Sequence, residues 1–226
     1  MLIKRGAEAD IYLVEWYGRQ AISKVRKRKQ YMHEMLDREI RRKRTLHEVE
    51  MINMAKRAGV TTPLIYFVDP NNAEIVMQYI EGELARDLIY QGFNIGWIAM
   101  MMGIYTARLH AKDIVHGDLT TSNFIVYNNA TTSSNNSSND NVSVDDAKRL
   151  VLIDFGLSFY SSRLEDKAVD IRLIKEVMSS AHADLFDELF NNFVQGYSSV
   201  VGNEYTSRIL KKVREIEKRG RYARVV

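Results

Sequence analysis

The sequence predicts an α+β fold in two lobes, a small β-rich one over residues 1–82 and a mostly helical one over 83–226. Three observations predict it. β-branched and aromatic residues crowd between turn residues in 2–25 and 67–80. Apolar residues recur at helical spacing in 35–58 and again through most of the chain after Glu83. Two short apolar runs, Phe124–Tyr127 and Leu150–Ile153, read as a strand pair inside the second lobe.

In chain order, Ile11–Val14 and Ala21–Ile22 flank a turn at Tyr17-Gly18, so two or three antiparallel strands fit residues 2–25. Leu36, Ile40, Leu46, Val49 and Ile52 carry a helix from about Met35 to Ala58, with Gly59 as its C-terminal stop and Pro63 beyond. Phe67-Val68 and Ile75–Ile80 form a hairpin around Asp69-Pro70-Asn71-Asn72. The first lobe ends near Glu81-Gly82. Ile98, Met101, Met102, Tyr105 and Leu109 mark a core helix over Asn94–Ala111, since a Met and aromatic stripe is more often core than cofactor box. An insert of about 128–148 is so rich in Asn, Ser and Thr that it has little apolar surface to bury, and a disordered hairpin extension is expected. Its N-x-S/T matches, such as Asn129-Ala130-Thr131, are read as accidents of composition. No internal repeat is visible, and the end of the chain reads as helical and basic.

Composition narrows the classes. At 46% hydrophobic and 27% charged residues the chain has material for a core. It has no cysteine, which excludes disulfides and thiolate metal sites. No apolar run is long enough for a membrane span and no signal-peptide pattern opens the chain, so a cytoplasmic protein is expected. The net charge of +3 hides two basic segments. Lys24–Arg44 holds ten basic residues against three acidic, and Arg208–Arg224 eight against two. Such clusters suit a phosphate-rich partner such as nucleic acid, or are solvated helix faces.

The chemistry concentrates in His116-Gly117-Asp118-Leu119-Thr120-Thr121-Ser122-Asn123, which runs straight into a strand. An aspartate and an asparagine five positions apart can serve phosphoryl transfer. The carboxylate of Asp118 orients the attacking hydroxyl, and the amide oxygen of Asn123 binds magnesium. The segment resembles the catalytic loop of the kinase superfamily. Asp154-Phe155-Gly156 follows the second strand of the pair, where one carboxylate beside nucleotide phosphates suffices for magnesium. Upstream, Ala21-Ile22-Ser23-Lys24 resembles the strand whose lysine meets the α and β phosphates. Glu48 on the next helix is its expected ion-pair partner, with Glu50 the competitor and an exposed Arg44–Glu48 pair the structural alternative. Met77–Glu81, and in it Met77, Tyr79 and Glu81, stands where a kinase hinge meets adenine. ATP and Mg2+ are the implied cofactors.

Two departures stand out. Only Gly6-Ala7-Glu8-Ala9 occupies the place of a glycine-rich phosphate loop. It permits a tight turn but promises a weaker backbone cradle, and Glu8 would not welcome phosphate charge. Gly117 replaces the arginine of H-R-D, so activation by loop phosphorylation is not expected. About 70 residues follow Gly156, which makes the helical lobe short for a kinase.

Together, Gly-Ala-Glu-Ala, Arg44-Thr45 before Glu48, Ala58-Gly59-Val60 before Pro63, the 116–123 loop, Asp154-Phe155-Gly156-Leu157 and Glu165–Asp170 resemble the small atypical kinases of the KEOPS complex. The resemblance implies a protein-kinase-like bilobal fold with a truncated helical C-lobe. It implies a Ser/Thr-type kinase and ATPase supporting threonylcarbamoylation of adenosine 37 in tRNAs that read ANN codons. It also implies contact with the complex's transferase subunit and with a small subunit on the N-lobe, and tRNA contacts through the basic C-terminal tail around Arg219-Gly220-Arg221. Asp170 resembles the aspartate that braces the catalytic loop, and His116 reads as an anchor of that loop. His110 and His182 have no partner at metal-ligand spacing and are not read as ligands. Two alternatives stay open: a small-molecule kinase of the aminoglycoside or choline type, and a catalytically weak scaffold.

Overall fold

The computed structural model describes residues 1–128 and 148–222; most of the Asn/Ser-rich insert and residues 223–226 of the tail, Arg224 among them, lie outside these. The first lobe is one five-stranded antiparallel sheet with a long helix. Its strands are β1 (Leu2–Arg5), β2 (Ala9–Trp16), β3 (Arg19–Arg26), β4 (Ile65–Asp69) and β5 (Glu74–Gln78), arranged β1-β2-β3-β5-β4. Tyr17 and Gly18 both take positive φ, the geometry of a two-residue hairpin whose twist matches its strands. The β4–β5 turn is set by Asp69, whose Oδ1 accepts the N–H of Asn71 at 2.9 Å and of Asn72 at 3.1 Å.

Helix α1 (Glu34–Arg57) runs between β3 and β4. It ends in paired bonds from Gly59 N–H to Lys56 and from Val60 N–H to Ala55, each 3.0 Å, the arrangement that satisfies orphan carbonyls at a helix end. Its inward face corrects the sequence reading. Leu36 and Leu46, two members of the apolar stripe, are exposed, while Asp37, Thr45 and Glu48 are buried with Met51, Ile52 and Ala55. The half of the helix near the cleft packs polar groups that have partners there. Asp37, for instance, accepts the Lys29 N–H at 2.9 Å and pairs with Arg41 at 2.8 Å.

The second lobe carries α2 (Ala85–Tyr90), α3 (Ile95–His110), α4 (Leu164–Ala181), α5 (Phe186–Val201) and α6 (Asn203–Tyr222). Two small sheets sit against the helices. One orders β6 (Glu83–Leu84), β8 (Phe124–Asn128) and β9 (Lys148–Leu152); the other pairs β7 (Ile114–Val115) with β10 (Phe159–Tyr160). Ile98, Met102, Tyr105 and Leu109 of α3 are buried with Phe124, Leu152 and Phe155 and with Phe193 and Tyr197 of α5. Among the described residues, no helix is long and apolar enough to cross a membrane.

The two lobes are tied where α1 ends. The Thr61 carbonyl accepts the Leu152 N–H at 2.9 Å, Tyr105 Oη donates to the Leu150 carbonyl at 2.9 Å and lies 2.8 Å from the Thr61 hydroxyl, and Arg108 donates to the Gly59 carbonyl. These bonds anchor the C-terminal end of α1 on the second lobe, and so fix where Glu48 stands relative to Asp154.

Candidate active site

Lys24 lies on β3 with its Nζ 2.6 Å from Glu48 Oε1 and 2.7 Å from Asp154 Oδ1. Glu48 is 1% exposed, so its charge is compensated by protein rather than water. Its second oxygen takes Arg26 Nη2 at 2.5 Å. Burial alone would push the Lys24 ammonium down, but Glu48 and Asp154 outweigh it and hold Lys24 above the ordinary lysine value. Burial would likewise raise the Asp154 carboxyl, and the Lys24 charge keeps it below the usual carboxylate range. Lys24 bonds Glu48 and Asp154 rather than Glu50, and Arg44 pairs with Glu8 rather than Glu48.

The second lobe supplies a braced loop. Asp170, on α4, accepts the backbone N–H of His116 at 2.6 Å and of Gly117 at 2.8 Å. His116 is fully buried, its ring edge-on to Phe155 and its Nε2 3.3 Å from the Ile153 carbonyl; burial pushes its pKa down. Ser158 Oγ donates to the His116 carbonyl at 2.9 Å, and the Ser158 carbonyl lies 2.8 Å from His47 Nε2 on α1. Thr121–Asn123 form one short 3-10 turn. Asn123 Nδ2 donates to the Asp118 carbonyl at 2.8 Å and to its Oδ2 at 3.0 Å. The Asn123 amide nitrogen is thereby spent, and its oxygen is the atom left for a cation. Asp154 sits at φ 63, a left-handed conformation that a non-glycine residue adopts at a cost of about 1–3 kcal/mol. Strain of this kind concentrates at functional sites.

Gly117 explains one departure from the kinase pattern. Its φ is 80, and a Cβ there would collide with the Leu157 carbonyl. The tight packing of the loop on the segment after Asp154 leaves no room for an arginine.

Lys24, Asp118 and Asp154 face one cavity of about 240 Å³. The turn contributes Gly6, Ala7, Glu8 and Ala9; β3 contributes Lys24 and Arg26; Asp118, Asp154 and Gly156 close the far wall. Gly6 donates to the Ala9 carbonyl at 3.0 Å, and that oxygen would lie 2.6 Å from any Cβ added to Gly6, which keeps the turn narrow. Glu8 is neutralised by Lys29 at 3.1 Å and Arg44 at 2.8 Å, and the Lys29 hydrogen bond lowers its pKa. Asn123 and Glu48 stand directly behind the wall, bonded to Asp118 and Lys24. Met77, Tyr79 and Glu81 are not among the residues lining the cavity; Met77 is buried at the end of β5 and the other two follow it.

Sequence reasoning missed Arg26 and the Glu8 clasp. Strand alternation was the available signal for Arg26, since positions 24 and 26 share a face. It also missed the setting of His110, whose Nε2 is 3.4 Å from Asp170 and whose Nδ1 is 2.9 Å from Tyr197 Oη. The carboxylate beside His110 lies sixty residues away in sequence, outside any metal-ligand spacing. Among the described residues no cluster of three or more His, Cys, Asp or Glu is placed to hold a metal.

The family described as RIO domain matches residues 14–133. A "probable bifunctional tRNA threonylcarbamoyladenosine biosynthesis protein" of Methanocaldococcus jannaschii is 38% identical over 98% of this chain, and the chain spans 37% of that relative's length. The "KEOPS complex subunit Bud32" of Pyrococcus abyssi is 35% identical over 98% of this chain and 96% of its own. Among solved structures, the Rio2 kinase–ADP/Mg2+–phosphoaspartate complex of Chaetomium thermophilum superposes with a TM-score of 0.64 at 12% identity, over 97% of this chain and 70% of that one. At that identity the likeness speaks for the fold, which is kinase-like. By sequence, the chain belongs to the RIO-domain family and to the family of the KEOPS subunit Bud32.

Proposed function

We propose that this chain is an ATP- and Mg2+-dependent phosphotransferase and ATPase of the Ser/Thr-kinase type, working in the cytoplasm within a KEOPS complex. There it supports threonylcarbamoylation of adenosine 37 in tRNAs reading ANN codons. The observation that carries the reading is the convergence of Lys24, Asp118 and Asp154, from two lobes, on one cavity, with Glu48 bonded to Lys24 and Asn123 to Asp118. The names of the relatives in Methanocaldococcus jannaschii and Pyrococcus abyssi support the complex and the tRNA pathway.

The residues fit the cofactors. Asp154 and Asn123 offer hard oxygen donors of the kind magnesium takes, and Lys24 and Arg26 offer positive charge to phosphates. Bound Mg-ATP supplies the transferable phosphoryl group and the metal charge that stabilises its transfer. Glu48 holds Lys24 in place against the phosphates. Asp118 orients the attacking hydroxyl or water and takes its proton, while Asp170 keeps the Asp118 loop in register. The hinge role of Met77–Glu81 toward adenine, and the division into lobes at residue 82, belong to the same proposal. The transferase subunit, a small subunit on the N-lobe and tRNA on the basic α6 end are the partners proposed. Arg219 there is 61% exposed and pairs only with Glu165 among the described residues, so it remains open to phosphate.

The test is γ-labelled ATP turnover with magnesium for the wild type and Asp154→Ala, with and without the transferase subunit. Label transferred to protein or released as phosphate, and lost in the variant, supports the reading. Nucleotide binding without turnover under either condition would leave a scaffold.

A further inference from the structure

Arg26 is a buried cation on the cavity wall whose hydrogen-bonding capacity its ion pair with Glu48 does not exhaust. Its side chain is 6% exposed, and Nη2 rests on Glu48 at 2.5 Å. Its Nε is buried and has no partner among the described residues. Lys24, at 2.6 Å on the other Glu48 oxygen, is shared with Asp154 at 2.7 Å, so the cluster balances only until Asp154 turns to a cation of its own. A second buried cation beside Lys24 adds like-charge repulsion and desolvation, and an unmade hydrogen bond adds to that cost. Such an arrangement is expected where an anion completes it.

The surroundings say which face the anion meets. Arg26 lines the cavity and pairs across the sheet with Ala9 of the 6–9 turn. Its Nη2 lies 3.3 Å from where a Cβ on Gly156 would stand, so the guanidinium reaches from the turn to the segment after Asp154. The turn itself is poorly equipped, since the Gly6 N–H is consumed by the Ala9 carbonyl.

We propose that Arg26 is a second phosphate-binding cation, gripping the β- or γ-phosphoryl oxygens of the nucleotide with the guanidinium edge that Glu48 leaves free. Its charged, planar fork makes the phosphate contacts that a glycine-rich loop makes through neutral backbone N–H groups. Glu48, with one oxygen on Lys24 and the other on Arg26, then positions both cations at once. The proposal rests on the nucleotide reading above and adds a residue that discriminates by phosphate number.

Calorimetric titration of the full chain with ATP and with AMP, each with magnesium, tests it in the wild type, Arg26→Gln and Arg26→Lys. Losing a charge-assisted contact made only to the outer phosphates should weaken ATP by about 10- to 100-fold in Arg26→Gln. AMP should change by less than about twofold, and Arg26→Lys should fall between, because a point charge replaces the fork. Should Arg26→Gln fail to fold by thermal melting, Arg26→Lys carries the comparison alone. Equal losses for ATP and AMP, or no loss for ATP, would overturn the role of Arg26. A wild type that binds neither nucleotide would instead sink the nucleotide reading.

Discussion

Gly117 donates its backbone N–H to Asp170 Oδ1 at 2.8 Å, and this bond fixes the loop that presents Asp118. Asp170 is 1% exposed, and its other oxygen takes the His116 N–H at 2.6 Å. Burial would raise its carboxyl, but His110 and the loop N–H groups hold it low. Asp170→Asn can accept at one oxygen only and leaves a buried N–H facing a donor. The expected loss is about 2–3 kcal/mol in urea unfolding, with turnover falling more than ATP affinity. An unchanged unfolding midpoint would show that the brace is dispensable.

Glu48→Gln removes the one carboxylate shared by Lys24 and Arg26. Breaking a buried pair from one side costs about 3–5 kcal/mol, and the retained amide oxygen puts this variant near the lower end. Turnover should fall with stability, and the double variant Glu48→Gln with Lys24→Met should cost less than the sum of the two singles. Additive losses would mean that the two side chains are not energetically coupled.

The buried histidines give stability a pH dependence of known sign. Burial lowers the pKa of His116, and of His182 with help from Arg86, below the ordinary 6.5. The unfolded chain takes these protons near 6.5 and the folded chain resists them. Their contribution is therefore whole above pH 6.5 and is lost as pH falls toward the folded values, by at most about 1.4 kcal/mol per pH unit for each. Both ring nitrogens of His182 are buried without partners among the described residues. His182→Leu should accordingly flatten the slope of unfolding free energy between pH 7 and 5, and gain about 1 kcal/mol at the acid end. An identical slope would place the titration elsewhere.

Restoring the kinase arginine should fail. Gly117→Arg must hold a side chain at φ 80 against the Leu157 carbonyl. A left-handed non-glycine residue alone costs about 1–2 kcal/mol, and the clash adds to it. A drop in melting temperature for both Gly117→Arg and Gly117→Ala is expected. Wild-type melting of either would mean that the loop yields easily.

What could be read from the sequence alone was what local chemistry dictates. Asp118, Asn123 and Asp154 announce themselves because their loops are bounded by short strands, and strand and turn residues keep the spacing legible. The single-glycine turn at Gly6 is legible for the same reason, whereas Glu48 is favoured over Glu50 only by the kinase-like pattern of the other motifs. The tertiary structure decided which way faces turn. Helix periodicity puts Leu36 and Leu46 on a stripe with Ile52, but only the cleft makes it favourable to bury Asp37 and Glu48 and leave those leucines in water. Strand alternation places Arg26 beside Lys24 without saying whether that face meets solvent or a cavity. His110 finds Asp170 and Tyr197 only because α3, α4 and α5 pack together, at separations that no local pattern encodes. Residue types and their spacing carry the chemistry along the chain; desolvation and charge pairing across the packed lobes decide which of those groups act together.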